Sequence, residues 1–135
     1  MRNYLFRGKQ IDTGEWIEGY LFQARDFLTG VGHTAIIDLD AMIFPKNEIV
    51  SFNFVDHKTI GQSTGKCDKH GVKIFEGDIV QAMMDYGPAG MALTNTVVHW
   101  NEDHGWQWEY FDMDTILVIG NVHDNPDIQL GLTEV

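Results

Sequence analysis

Histidines and carboxylates crowd one short stretch of the chain. His99 and His104 bracket Glu102 and Asp103, and two imidazoles with two carboxylates form a donor set that a divalent cation can use. The spacing matches no metal-ligand motif, and Asn-Glu-Asp-His-Gly is also what an exposed turn is made of. The reading is therefore that no metal binds, with His99 and His104 as the residues to check. His33, His57, His70 and His123 are isolated. A second pair of acids, Glu76 and Asp78, flanks Gly77. Neighbouring carboxylates can divide acid and base roles. Asp beside Gly, however, ordinarily accepts main-chain N–H bonds and fixes a corner. Asp78 is accordingly expected to be structural and Glu76 solvated. Glu76, Asp78, Glu102 and Asp103 around a metal would make the alternative, a metal-dependent enzyme.

Nucleophilic chemistry finds little support. Cys67 is the single cysteine, so neither an internal disulfide nor a cysteine-based metal motif can form, and it carries no signature of a catalytic thiol. There is no Gly-x-Ser-x-Gly elbow, no phosphate-cradling loop and no His-Glu-x-x-His. Trp100, Trp106, Trp108 and Tyr110 are numerous enough to stack bases, yet no Lys or Arg accompanies them. They are expected to pack in a core or at a subunit interface, and a homo-oligomer remains open. No catalytic residue and no cofactor is assigned.

Charge is distributed unevenly. All nine Lys and Arg lie in residues 1–73, where nine Asp and Glu balance them; residues 74–135 hold eleven Asp and Glu and no Lys or Arg. A strongly acidic half repels phosphates, which argues against direct binding of nucleic acid or membrane and favours basic partners. Glu102, Asp103, Glu109, Asp112 and Asp114 are the candidate protein-binding residues. The plainer alternative is that scattered acids keep the protein soluble. No basic-plus-apolar leader opens the sequence and no apolar run is long enough to span a bilayer, so a cytoplasmic protein is expected.

The elements that must position these groups are strands. Tyr4–Phe6 and Trp16–Phe22 are joined by an Asp-Thr-Gly turn and predict a hairpin. Residues 35–39 and 48–55 predict two more strands. In Thr59–Val80, strand, turn and strand are followed by a corner at Glu76-Gly77-Asp78. Asp68-Lys69-His70-Gly71 is the turn, with Asp68 able to accept N–H bonds and Gly71 able to take positive φ. Leu93–Trp100 and Trp106–Phe111 alternate about a five-residue Gly-containing turn and predict a hairpin, and Thr115–Ile119 predicts a buried strand. Asn125-Pro126 predicts an N-cap and one short helical turn through Leu130.

Many short strands with turns about every ten residues indicate an all-β fold with one or two short helical turns. The strands are antiparallel and form a barrel-like core, SH3-like in its C-terminal half. That likeness concerns fold alone. The 135 residues suit one compact domain, long enough to bury roughly 68% of the unfolded surface, with an N-terminal β-hairpin region (1–58) packed on a barrel-like region (59–135).

Four separated motifs resemble the YopX-like family encoded by phages and prophages. Gly61-Gln62-Ser63-Thr64-Gly65, Asp68-Lys69-His70-Gly71 and Ile74-Phe75-Glu76-Gly77-Asp78-Ile79-Val80 match its central segment. Phe6-Arg7-Gly8-Lys9 with Gly14-Glu15-Trp16-Ile17-Glu18-Gly19-Tyr20 is similar to its N-terminal segment, and Ile119-Gly120-Asn121-Val122-His123-Asp124-Asn125-Pro126-Asp127 to its C-terminal one. Ser63, Lys66 and His70 depart from the usual Tyr, Leu and Asn. The resemblance implies a compact, mainly β protein and no assigned activity. Together with the charge, it leads to the expectation of a phage or prophage accessory protein that binds other proteins through an acidic surface without catalysis.

Overall fold

Alternation of apolar and polar residues sets the sheets. The computed structural model describes residues 5–25, 32–38 and 53–133. It is all-β: twelve strands and three short 3-10 turns, at His57–Thr59, Gly87–Ala89 and Trp108–Tyr110, make up the described secondary structure. The chain divides into two compact units, Met1–Ser63 and Thr64–Val135.

In the first unit β1 (Phe6–Lys9), β2 (Trp16–Arg25), β3 (Gly32–Asp38) and β4 (Asn53–Phe54) lie side by side in the order β4-β3-β2-β1. The β1–β2 hairpin pairs Phe6 with Gly19 and Lys9 with Trp16. β5 (Gly61–Cys67) begins next to β1, pairing Gln62 with Phe6 and Gly61 with Arg7. Ala35, Ile36 and Val55 are buried here. Asp56 accepts the Lys58 N–H and starts the 3-10 turn, whose Thr59 hydroxyl accepts the Lys9 N–H at 2.9 Å. Arg7 and Lys9 both reach over the Trp16 ring, 4.7 and 5.6 Å from its centroid. Of the strands expected over 35–39 and 48–55, residues 39–52 lie outside the described residues.

The second unit takes over β5 from Thr64, beside β6 (Lys73–Phe75). β7 (Asp78–Asp85), β8 (Met91–Val97), β11 (Leu117–Asn121) and β12 (Gly131–Leu132) form a four-stranded antiparallel sheet in the order β11-β7-β8-β12. Its inner face is the set with period two, Val80, Ala82 and Met84: Val80 and Ala82 join Ile74, Val98, Phe111 and Ile116 in one cluster, with Met84, Trp106, Trp108, Met113 and Val118 against it. Each large aliphatic side chain buried this way stabilises the fold by roughly 1.5–3 kcal/mol. Trp106 and Trp108 thus serve the core, as their size favours.

Three expectations need correction. The barrel does not close: β11 and β12 are edges of an open sheet, and β9 (Trp100–Asn101) and β10 (Gly105–Trp106) pair only with each other. The strand expected over Trp106–Phe111 ends at Trp106, because the 3-10 turn Trp108–Tyr110 swings Phe111 back to bridge Met84. The helical turn expected from Asn125 is an irregular turn closed by a single Ile128 N–H to Asn125 carbonyl bond of 3.3 Å.

Two glycines test this architecture. Gly71 has φ +82° with nothing within 4 Å of an added Cβ, so its replacement acts through backbone strain alone. A Cβ at Gly120 would instead lie 2.5 Å from the Asn125 side-chain oxygen and 2.8 Å from Ile128. We expect Gly71→Ala to lower unfolding stability by ~1 kcal/mol and Gly120→Ala by more, ~1–3 kcal/mol of overpacking plus the displaced Asn125 bond. Chemical denaturation of both variants checks the order; equal effects would contradict it.

Candidate functional site

Local chain chemistry explains most of the carboxylates before any ligand need be considered. Asp68 is 6% exposed. Its Oδ1 accepts the N–H groups of His70 and Val72, both at 2.9 Å, and its Oδ2 accepts that of Val118 at 3.0 Å. The Lys69 N–H donates to the Ile116 carbonyl at 2.9 Å. One side chain therefore closes the turn between β5 and β6 and ties it to β11. Burial works to raise the Asp68 pKa, but the N–H groups of Val118, Val72 and His70 and the charge of the His70 imidazolium outweigh it. The carboxyl is held below its ordinary value.

Asp78 is 1% exposed and its Oδ2 accepts the Phe75 N–H at 2.7 Å. It closes the corner where the chain leaves β6 for β7, with Gly77 at φ +90°. The Gly77 N–H donates to the Val98 carbonyl and the Val122 N–H to the Gly77 carbonyl. Asp78 is thus buried in the corner, whereas Glu76 is half-buried on the turn. Asn121 orders the next loop: its Oδ1 accepts the His123 and Asp124 N–H groups, its Nδ2 donates to Asp124, and its own N–H donates to Asn125 Oδ1.

The hairpin histidines are similarly accounted for. Asn101 Oδ1 accepts the N–H groups of Asp103 and His104, and Gln107 Oε1 accepts that of His99. His99, Glu102, Asp103 and His104 are all exposed. Among the described residues, no three His, Cys, Asp or Glu side chains are arranged to hold a metal ion. Cys67 is a free, exposed thiol.

The five candidate acids fall into two groups. Glu102 and Asp103 sit on the turn between β9 and β10. Glu109, Asp112 and Asp114 sit instead where the chain returns to β7: Phe111 bridges Met84, the Asp112 N–H donates to the Met83 carbonyl, and the Met83 N–H donates to Thr115 Oγ1 at 2.9 Å. That places them at the Asp85 end of β7. Asp124 and Asp127 follow Asn121, which pairs with Asp78 at the opposite end of the strand. The acids of this unit are therefore distributed over both ends of the sheet. Sequence reading overlooked Asp85, Tyr86 and Met91 as neighbours of the second group, because only the β7–β8 register and the Phe111 bridge bring them there. Asp-Tyr-Gly-Pro at a strand end was the available signal.

Comparison with known proteins places the chain: a family model for YopX protein matches residues 5–128, and the chain belongs to that family. No curated protein matches it. Among solved structures, it is similar to the crystal structure of protein EF1440 from Enterococcus faecalis. The identity is 25%, the match covers 90% of this chain and 94% of that one, and the TM-score is 0.45. No helix among the described residues is long and apolar enough to cross a membrane.

Two measurements probe the site. The folded pKa of Asp68 lies below the unfolded one, so its contribution to stability is present above the ordinary value of 3.8 and is lost as the pH falls through the lower folded value. Asp68→Asn, which cannot accept all three N–H bonds, is expected to lose ~1–3 kcal/mol at neutral pH and to flatten the acid side of the stability–pH curve; an unchanged curve would contradict this. For the hairpin, calorimetric titration with zinc or manganese is expected to show no saturable binding. Micromolar binding abolished by His104→Ala would reverse that expectation.

Proposed function

We propose that this member of the YopX family is a phage- or prophage-encoded accessory protein that acts by binding other proteins through an acidic surface, without catalysis. One observation carries the reading. Glu102, Asp103, Glu109, Asp112 and Asp114 are all exposed, and residues 64–135 hold twelve Asp and Glu against three Lys, Lys66, Lys69 and Lys73. Such a surface gives a basic partner a directed approach and repels phosphate-bearing molecules. The buried carboxylates support the same reading from the other side. Asp78, one of the four acids of the metal-dependent alternative, has an oxygen committed to the Phe75 N–H, and Asp68 is likewise occupied by main-chain N–H groups. A cytoplasmic setting in the host cell and a single domain over residues 1–135 belong to this proposal. No observation favours the metal-dependent alternative.

Affinity capture from induced lysogenic or infected cells, followed by kinetics on the captured partner, tests it. Association should slow by roughly tenfold or more between low and high salt. Asp112→Lys with Asp114→Lys should reduce the association rate more than it raises the dissociation rate. Salt-independent binding would refute the acidic-surface mechanism.

A further inference from the structure

We propose that the Asp85 end of the four-stranded sheet is a docking patch for an arginine-containing segment of a partner protein. The proposal rests on the reading above and gives it a place and an occupant. Its first support is a set of large apolar side chains that the fold leaves in solvent. Tyr86, Met91 and Tyr110 are 42%, 48% and 58% exposed. Met91 and Tyr110 come from separate segments and flank Asp85 in the register, while Tyr86 lies on the other face of the same sheet end, where Thr94 pairs with the core residue Ala82. Met91 is the direct partner of Asp85 across β7 and β8. The Met84–Phe111 bridge sets Tyr110 beside Asp85 on the other flank of β7. Tyr86 follows Asp85, and its hydroxyl is held 2.7 Å from Thr94 Oγ1. Thr94 is in turn the partner of Leu132, itself exposed. Aromatic and methionine side chains gathered in solvent are the composition of interface cores rather than of an ordinary acidic surface.

The second support is charge. Asp85, Glu109, Asp112 and Asp114 are exposed and belong to the same segments as Met91 and Tyr110 or pair with them in the register. The contributing segments, 84–94, 108–115 and 130–133, contain no Lys or Arg, and the cation whose main chain is bonded next to them is Lys69, at the Ile116 carbonyl. The side chains are partly ordered in advance: Asp85 Oδ1 accepts the Gly87 N–H at 2.8 Å, and Asp112 Oδ1 that of Asp114 at 3.1 Å. Carboxylates in the segments around Tyr110 suit guanidinium in particular. It pairs with carboxylate through a planar fork and stacks on an aromatic face, which an ammonium group does less well. Met91 adapts to an apolar neighbour in the same segment. The side chains held in place by their own hydrogen bonds lose less freedom on binding.

The probe is a fluorescein-labelled peptide alternating Arg and Leu, read by anisotropy against the intact protein, with a Lys-for-Arg peptide as comparison. Tyr110→Ala and Asp112→Asn together are expected to weaken binding by roughly tenfold or more. Tyr110→Phe should retain binding, and the Lys peptide should bind more weakly than the Arg peptide. Glu102→Gln with Asp103→Asn, on the hairpin turn, should leave the affinity within about twofold, since rim charges away from a patch contribute little. Equal weakening by the two pairs would overturn the patch while leaving the acidic-surface reading intact. Absence of binding to either peptide would overturn both. Concentration-dependent self-association that Tyr110→Ala abolishes would assign the patch to a second copy of the chain and overturn the proposed occupant.

Discussion

A buried carboxylate must be surrounded by donors or it will not stay ionised, and the second unit is arranged around two of them. Asp78 is among the fully buried side chains of the described residues, and Asp68 is buried too. Neither solvent nor an arginine satisfies Asp68; main-chain N–H groups do, three of them drawn from residues as distant as His70 and Val118. Charge-assisted bonds of this kind are roughly twice as strong as neutral ones. Their demand on geometry is strict, because leaving one acceptor unpaired costs more than making the bond returns. The β5–β6 turn, the start of β11 and the corner into β7 thus have little freedom relative to one another. β11 pairs with β7 and β7 with β8, so the constraint passes through the sheet to the core.

The Ile119–Asp127 segment shows the same logic without charge. Gly120 leaves room for the Asn125 side chain, which accepts the Asn121 N–H; Asn121 in turn accepts from His123 and Asp124. Gly, Asn and Asn at this spacing form a loop that supplies its own hydrogen-bond partners. A cluster of polar residues near the chain's end reads easily as a ligand site. Here the polar atoms are occupied by the backbone they organise, as Asn side chains at turns commonly are.

Legibility in the sequence followed physical locality. The class of fold was readable because strand alternation and Gly-Asp corners are properties of a few consecutive residues. The hairpin at Lys9–Trp16 and the run Ile79–Met83 are examples. The open sheet was not readable: whether β11 meets β12 depends on lengths and pairings summed over the whole unit. Trp108 misled because its alternation with Trp106 and Tyr110 imitates a strand, while a 3-10 turn presents the indole to the core equally well. The neighbours of the candidate acids were hidden for another reason. Asp85, Met91 and Tyr110 are up to twenty-five positions apart, and nothing local to any of them announces the bridge between Met84 and Phe111.

β5 carries a consequence for how such a chain can change over generations. Its opening residues complete the first sheet and its later ones lie with β6 in the second unit, so the boundary at Ser63–Thr64 falls inside a strand rather than in a linker. Recombination that exchanged one half for that of a relative would have to preserve the strand's register to the residue, since a slip by one turns every side chain to the wrong face. A break there would separate Gly61–Ser63 from the rest of β5 and leave unpaired main-chain groups of the strand available to other chains.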